Sequence, residues 1–224
     1  MASEARVPRR PVGRKKPAML IGATLLLLAA LAVYAVSSTG ILAAGPNVVA
    51  ASRDRRELGP ADAKVKVVVY FDFQCPHCDT LRRDVEPRLI EEYVKTGKVR
   101  LEVRPLPLMG PDSARAAEAA DCAADQGSFF AFRDATFGSF ERQGRTAYSE
   151  AGLKATAAGV MRDADAFAAC LAGGQSKPEI DGNLRLAEGV GLRAVPTVLI
   201  SGTQIVGVRP YEQYARAIEE SLAK

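Results

Sequence analysis

The sequence predicts an α/β domain in which a β-α-β unit, a helical insertion and a terminal β-β-α unit follow one N-terminal transmembrane helix. Three observations predict it. Residues 65–73 (VKVVVYFDF) are almost continuously β-branched, aromatic or otherwise apolar, which is typical of a buried central strand. Ala-rich and Phe-rich segments of helical length occupy the middle of the chain. Residues 17–52 carry no charged side chain and follow a basic tail, which is typical of a membrane-spanning segment.

The charge of the chain is concentrated at its N-terminus. The net charge is +4 over 224 residues, but residues 1–16 hold six basic side chains and one acidic side chain. The rest of the chain is therefore nearly neutral, so the sequence predicts no nucleic-acid partner. The chain has one His, which excludes the HExxH proteases and His-pair zinc fingers, and no metal site is expected.

The apolar segment predicts membrane targeting. Residues 18–36 form an apolar run nearly long enough to span a bilayer as a helix. The basic side chains precede it, so the positive-inside rule predicts a cytoplasmic tail at 1–16, a signal anchor at 17–36 and an extracytoplasmic domain. The alternative is a cleaved signal peptide, with small-residue candidate cleavage sites near residues 33–35 and 43–44. A buried core helix fits the basic flank less well. Both targeting interpretations export the rest of the chain.

The domain is expected at residues 61–224, behind a linker at 37–60 that is rich in Ser, Gly, Ala and Pro and has a short ordered stretch near 53–58. The β-α-β unit consists of the central strand, a helix from Pro76 to about residue 95, and an alternating strand at 99–104. Pro87 predicts a kink in the helix. Such a unit requires a right-handed crossover.

The helical insertion is expected at about residues 111–174. Its four helices are predicted at residues 113–126, 128–140, 149–158 and 164–171. A further helix at 178–189 is followed by strands at 195–200 and 204–208 and by a final amphipathic helix at 211–223.

The chemistry is predicted at Cys75-Pro76-His77-Cys78, where the central strand meets a helix N-terminus. Free backbone N–H groups and the helix dipole favour a thiolate there, so Cys75 is expected to be the exposed nucleophile and Cys78 the resolving thiol. His77 adds positive charge or a hydrogen bond beside the sulfur. One alternative is half of a zinc site, completed by Cys122 and Cys170, which lack CxxC spacing. An inert structural disulfide is the other.

The second feature is Val195-Pro196-Thr197, a proline that opens a strand. Together with the strand–CxxC–helix arrangement and the terminal β-β-α unit, it indicates a thioredoxin fold. The chain resembles the DsbA-like thiol–disulfide oxidoreductases, in a membrane-anchored form, over about residues 60–222. The resemblance rests on FDFQCPHC at 71–78, CAADQG at 122–127 followed by two Phe residues, FAACL at 167–171 and GLRAVPT at 191–197.

This resemblance implies further site features. Pro196 should be cis and lie against the redox-active disulfide Cys75–Cys78, and the Val195 backbone should bind substrate. Relatives often carry a buried acid at the position of Val69, so proton removal from Cys78 would need water, Glu102 or another carboxylate. Some relatives have a second disulfide in the insertion. Two leftover cysteines of an exported domain, Cys122 and Cys170, are expected to pair as a structural disulfide, the alternative being an electron relay to Cys75.

The expected function is that of a membrane-tethered extracytoplasmic oxidase that introduces disulfides into exported proteins bearing cysteine pairs. It needs no cofactor other than its own disulfide. The resemblance implies that a quinone-linked membrane disulfide oxidase regenerates that disulfide. A disulfide isomerase or reductase for extracytoplasmic cofactor-site assembly is the alternative enzyme, and a non-catalytic tethered binding or chaperone module is the alternative from another class.

Overall fold

A computed structural model describes residues 56–224. The predicted tail at 1–16, the anchor at 17–36 and most of the linker at 37–60 lie outside the described residues. Within residues 56–224, no helix combines the length and the apolar character needed to cross a membrane.

A five-stranded sheet in the order β1-β3-β2-β4-β5 positions the site. The strands are β1 (Glu57–Leu58), β2 (Val65–Phe71), β3 (Val99–Pro105), β4 (Thr197–Ile200) and β5 (Thr203–Val206). The central pair, β2 and β3, is parallel, with Val65 opposite Val99. All other pairs are antiparallel, including β2 with β4, where Val69 faces Val198. The run of apolar residues in β2 matches its place between two neighbours, with both faces covered.

One helical run, α1 (76–94), follows β2 and carries the CPHC motif. It alternates between α-helical segments (Pro76–Thr80 and Glu86–Leu89) and π-helical segments (Leu81–Val85 and Ile90–Val94). The backbone N–H of Glu86 donates to the carbonyl of Leu81, five residues earlier. The next residue, Pro87, has no N–H, and its ring displaces the carbonyl four residues before it. A wider turn accommodates that ring, so the proline predicted to kink the helix is preceded by a π-helical turn.

The helical insertion between β3 and β4 consists of α2 (Pro111–Ala124), α3 (Phe129–Gln143), a 3₁₀ turn (Gly144–Tyr148), α4 (Glu150–Ala158) and α5 (Ala164–Gly173). Alanines cover the buried face of α2, including Ala116, Ala119, Ala120 and Ala123 at 0% exposure, which lets neighbouring helices pack closely. The Phe137 ring of α3 lies 5.4 Å from Phe73 and 6.0 Å from Phe71. The insertion thus packs directly on the residues that lead into the CPHC motif.

Two helices complete the domain and cover the faces of the sheet. They are α6 (Lys177–Gly189) and α7 (Tyr211–Leu222). Along β2, Val67, Val69 and Phe71 belong to the main core together with residues of α1, the insertion and α7. Tyr70 belongs to a second, smaller cluster with Leu106, Ala187 and Leu192. The alternation of faces along β2 therefore reflects helices on both sides of the sheet.

The structure differs from the sequence prediction mainly at element ends. The sheet begins inside the predicted 37–60 linker, because Glu57 and Leu58 pair with Glu102 and Leu101 of β3. The central strand ends at Phe71 rather than at residue 73. At Asp72 the chain leaves the ladder, because its backbone carbonyl accepts from the N–H of Cys75 and closes a turn before the helix.

Candidate active site

Cys75 lies at the junction that the motif predicts, as the residue that caps the N-terminus of α1. Its backbone is extended (φ −89°, ψ 111°), and Pro76 begins the helix, where a missing N–H costs nothing. The carbonyl of Cys75 accepts from the N–H of Cys78 at 3.0 Å. Cys75 and Cys78 are both free thiols in the structure. Cys75 is 7% exposed and Cys78 is 2% exposed, so the expected nucleophile is the more accessible thiol but is not an exposed residue.

The Cys75 sulfur is set up to carry a negative charge. A hydrogen bond from the Cys78 thiol makes the largest contribution, and it outweighs the burial that opposes ionisation. The backbone N–H groups of Cys78 and His77 at the start of the helix contribute further, and the charge of His77 contributes least. Together these effects lower the pKa of Cys75 from 9.0 to about 6. At neutral pH this sulfur is therefore mainly a thiolate.

Cys78 is the opposite case. Burial is the largest of the effects that raise the pKa of the Cys78 thiol far above its ordinary value, and its hydrogen bond to Cys75 adds to the shift. The backbone N–H of Asp72 donates to the Cys78 sulfur at 3.4 Å, which opposes the shift only partly. The two sulfurs of the motif thus have opposite protonation preferences, with a thiolate outside and a thiol inside.

The loop before β4 faces Cys75, although it lies about 120 residues away in the sequence. The Val195–Pro196 peptide bond is cis, as the resemblance implied. The Cys75 sulfur lies 3.6 Å from the carbonyl oxygen of Val195. Val195 is half-buried and Pro196 is buried. The loop is held from behind, because the N–H of Gly207 donates to the Pro196 carbonyl at 2.8 Å.

His77 is exposed between the two cysteines, on the first turn of α1. Its backbone N–H and its charge both favour the Cys75 thiolate, the charge being the smallest contribution. The backbone contribution does not depend on the side chain. The expected tuning role of the imidazole stays a prediction. The hydrogen bond from Cys78 lowers the pKa of Cys75 more than the charge of His77 does.

Asp72 is a site residue that the sequence reasoning missed. Its carboxylate is buried, with 1% of the residue exposed, and it accepts four hydrogen bonds. The donors are the backbone N–H groups of Gln74 (2.8 Å), Leu108 (2.8 Å) and Met109 (2.9 Å) and the hydroxyl of Ser113 (2.6 Å). The carboxylate therefore joins the turn before Cys75 to the loop after β3 and to the first turn of α2. Its place in FDFQC, three residues before the first cysteine, was the only available signal.

Glu102 is one of the groups considered, with water or another carboxylate, for proton removal from Cys78, and in the structure its carboxylate contacts Lys66 and Arg104. Burial raises the pKa of Glu102, but hydrogen bonds from Lys66 and Arg104 outweigh it and hold the pKa below its ordinary value. The Lys66 Nζ lies 2.6 Å from Glu102 Oε2. Val69 is buried in the core at 1% exposure. Asp72 contacts the Cys78 sulfur through its backbone N–H.

Cys122 and Cys170 form a disulfide with an S–S distance of 2.03 Å that joins α2 to α5. The hydroxyl of Ser176 lies 3.4 Å from the Cys122 sulfur. Because the bond engages both sulfurs, these cysteines do not complete a zinc site with the CPHC pair. The bridge closes a segment that contains the rest of the insertion, which is the placement expected of a structural disulfide.

Comparison with known proteins places the fold. A family profile described as Thioredoxin matches residues 52–220. The crystal structure of oxidised BdbD from Bacillus subtilis superposes with a TM-score of 0.71 at 20% identity, covering 77% of this chain and 95% of that one. The predicted thioredoxin-like α/β fold with a helical insertion is confirmed.

The chain is also similar in sequence to disulfide bond formation proteins. A probable disulfide bond formation protein D from Bacillus anthracis is 43% identical over 90 residues, which is 39% of this chain. The matched segment spans 42% of that relative's length. Disulfide bond formation protein D from Bacillus subtilis is 26% identical over 180 residues, covering 74% of this chain and 76% of the relative.

Proposed function

The chain belongs to the thioredoxin family, and from that premise we propose that it is an extracytoplasmic thiol–disulfide oxidoreductase that introduces disulfide bonds into exported proteins. The observation that carries the proposal is the asymmetry of the CPHC pair. The pKa of Cys75 is lowered to about 6, whereas that of Cys78 is raised. A stabilised thiolate favours the dithiol form of the protein, which makes the disulfide form an oxidant.

The reaction begins with the Cys75–Cys78 disulfide. A substrate thiolate attacks the Cys75 sulfur, the bond to Cys78 breaks, and the departing Cys78 thiolate takes up a proton to become a thiol. A second substrate thiolate then attacks the substrate sulfur of the mixed disulfide and releases Cys75 as a thiolate. Two electrons pass from the substrate to the CPHC pair. Because burial keeps Cys78 protonated, its back-attack is slow and the second substrate thiolate competes successfully.

In this proposal the loop that contains the Val195–Pro196 bond binds the substrate. The Val195 carbonyl lies 3.6 Å from the Cys75 sulfur, so a polypeptide bound through its own cysteine would run alongside Val195. Pro196 has no N–H and places no donor at that point of the loop. His77, at the open side of the motif, adds positive charge for an approaching thiolate. No cofactor beyond the disulfide enters this scheme.

Location and recycling complete the proposal. The apolar segment at 17–36 would anchor the protein in the cell membrane with its N-terminus in the cytoplasm, or would direct export before cleavage. Either route places the CPHC pair where disulfides persist. A quinone-linked membrane disulfide oxidase would accept the two electrons and restore the Cys75–Cys78 bond. Fractionation of cells that express the chain, with protease added from outside, tests the topology.

The reduction potential of the CPHC pair is the decisive measurement. Equilibration with glutathione should give a value well above the roughly −270 mV of the reductant thioredoxin. The oxidised protein should oxidise a dithiol peptide, and Cys75→Ser should abolish this reaction whereas Cys122→Ala with Cys170→Ala should retain it. A potential near or below that of thioredoxin would favour a reductase. Full partner binding by a folded Cys75→Ser, Cys78→Ser variant, with no dithiol oxidation by the native protein, would favour a binding module.

A further inference from the structure

Arg193 adjoins the loop that faces the reactive sulfur. It lies two residues before Val195, so the two Cα atoms are at most about 7 Å apart. The carbonyl oxygen of Val195 in turn lies 3.6 Å from the Cys75 sulfur. The backbone next to Arg193 is held in place, because the hydroxyl of Thr197 donates to the carbonyl of Ala194 at 2.8 Å. The fold therefore keeps this arginine close to the site of disulfide exchange.

Arg209 approaches the same loop from the end of β5. It lies two residues after Gly207, whose N–H donates to the Pro196 carbonyl at 2.8 Å. The hydroxyl of Tyr214 accepts from the N–H of Arg209 at 3.0 Å and donates to the carbonyl of Gly207 at 3.2 Å. Because Tyr214 is fully buried, at 0% exposure, these contacts fix the backbone of Arg209. The β4–β5 hairpin thus brings a second arginine to the loop.

Both guanidinium groups are available to a ligand. Arg193 and Arg209 are exposed, and within residues 56–224 neither side chain takes part in an ion pair or a hydrogen bond. Glu212 follows Arg209 by three residues, but its carboxylate lies 3.7 Å from Arg88. Arginine keeps its charge at every physiological pH and presents a planar fork of donors that matches a carboxylate. The two arginines therefore offer binding groups for an acidic side chain.

The acidic residues beside the CPHC motif leave this positive charge uncompensated. Residues 191–209, which include the loop and the β4–β5 hairpin, contain no Asp or Glu. Asp72 is buried, and its carboxylate is held by four hydrogen bonds. Asp79 Oδ1 lies 2.7 Å from Arg82 Nη2. The unpaired charges that the loop presents to an approaching polypeptide are therefore positive, which favours a negatively charged partner.

We propose that Arg193 and Arg209 bind acidic side chains of the substrate, so that the enzyme prefers exported cysteines that have Asp or Glu within two residues. The inference rests on the proposed function, in which the bound polypeptide runs alongside Val195. In the mixed disulfide the substrate sulfur is held about 2 Å from the Cys75 sulfur. The residues that flank the substrate cysteine then lie beside the loop that both arginines adjoin. Each arginine can receive a carboxylate through two parallel N–H···O bonds.

The test uses the oxidised full-length protein and two series of dithiol peptides. Glu, Gln or Lys occupies the two positions before each cysteine in one series and the two positions after each cysteine in the other. An acidic neighbour also changes the reactivity of the peptide thiol itself. Each rate is therefore divided by the rate of the same peptide with 2-hydroxyethyl disulfide, which is uncharged.

The corrected kcat/KM should be about threefold higher for Glu than for Gln in at least one series, and lower for Lys than for Gln in that series. In 1 M salt, where the Debye length is about 3 Å, the Glu-to-Gln ratio should fall towards one. Arg193→Gln and Arg209→Gln should each reduce the ratio measured at low salt, and the double variant should bring it to about one.

The matched control is Arg162→Gln. Arg162 is an exposed arginine between α4 and α5, so this variant removes the same charge from the insertion and should keep the native ratio. A ratio of one for the native protein in both series, a ratio that survives in the double variant, or an equal loss in Arg162→Gln would overturn the inference while leaving the oxidase intact. If the native protein oxidises no peptide, the proposed function fails, and the inference fails with it.

Discussion

Replacing Cys78 with alanine is expected to raise the pKa of Cys75 more than replacing His77 with serine does. The reason is the order of the contributions to the Cys75 thiolate. The Cys78 thiol donates the hydrogen bond with the largest effect, whereas the charge of His77 has the smallest. Serine at position 77 also keeps the backbone N–H that favours the thiolate. Cys78→Ala removes the donor but leaves the helix start in place.

The magnitude follows from the shift itself. Lowering the pKa from 9.0 to about 6 corresponds to about 4 kcal/mol between the thiolate and thiol forms. At pH 7 about 90% of Cys75 is then ionised, against about 1% without the shift. The dithiol protein gains about 1.4 kcal/mol at that pH, which makes the disulfide about 30 mV more oxidising.

The pH dependence has a definite sign. Because the pKa of Cys75 in the folded dithiol protein is depressed, the stabilisation is fully present above about pH 9 and is lost as the pH falls through about 6. The dithiol protein should therefore gain thermal stability relative to the disulfide protein as the pH rises from 6 to 9. Thermal unfolding of both forms across that range measures this difference.

Alkylation kinetics measure the pKa directly. The reduced protein, with the Cys122–Cys170 bridge intact, is treated with iodoacetamide between pH 4 and 10 and the modified residue is identified by mass spectrometry. Cys75 should be the only rapidly modified thiol, with a midpoint near pH 6, and Cys75→Ser should remove the fast phase. Equal labelling of Cys75 and Cys78 at pH 6 would contradict the assigned roles. A larger midpoint shift in His77→Ser than in Cys78→Ala would refute the reasoning about the donor.

Three further predictions concern the disulfide, the loop before β4 and Asp72. Cys122→Ala with Cys170→Ala should lower the free energy of unfolding by about 4 kcal/mol and the Tm by about 10 °C, because the unfolded chain is no longer cross-linked. Peptide oxidation should be nearly unchanged. Lost activity at an unchanged Tm would instead support the electron relay. Pro196→Thr should accumulate dithiothreitol-sensitive adducts of exported proteins on Cys75 in non-reducing gels, since a hydroxyl beside the sulfur should slow resolution, and a folded variant without adducts would contradict this. Asp72→Asn should cost about 2–5 kcal/mol in urea unfolding because its amide cannot accept from every present donor, and a loss below 1 kcal/mol would refute that account.

The parts of the fold that repeat a pattern were predictable from the sequence. Strand β2 and the helices of the insertion carry apolar residues at the spacing typical of their secondary structure, and those residues form the core. Strand β1 could not be found this way, because it has only two residues, Glu57 and Leu58. It forms because the edge of β3 is open to pairing and the chain passes beside it. That contact depends on the tertiary structure and leaves no pattern in the sequence. The first π-helical turn of α1, Leu81–Val85, precedes Pro87, and the proline rule predicts a distortion there without specifying its geometry.

The features of the site likewise divide into those that the sequence predicts and those that depend on tertiary contacts. The motif states which residues are adjacent in sequence, so the position of Cys75 at the end of a strand and the start of a helix could be predicted. The rank of the influences on its sulfur could not, because a hydrogen bond between two thiols depends on side-chain distances. The surroundings of Glu102, one of the groups considered for proton removal from Cys78, could not be predicted for a related reason. A strand pattern reports burial, but not that Lys66 and Arg104 already engage the carboxylate.

Asp72 shows how the insertion and the sulfur chemistry are connected. Its carboxylate holds the N–H groups of Leu108 and Met109 and the hydroxyl of Ser113, all of which lead into the insertion. Its backbone N–H reaches the Cys78 sulfur. A shift of α2 relative to the sheet would therefore move a donor that contacts the buried thiol. Because Cys78 in turn donates to Cys75, a chain of hydrogen bonds through Asp72 connects the insertion to the thiol that favours the Cys75 thiolate.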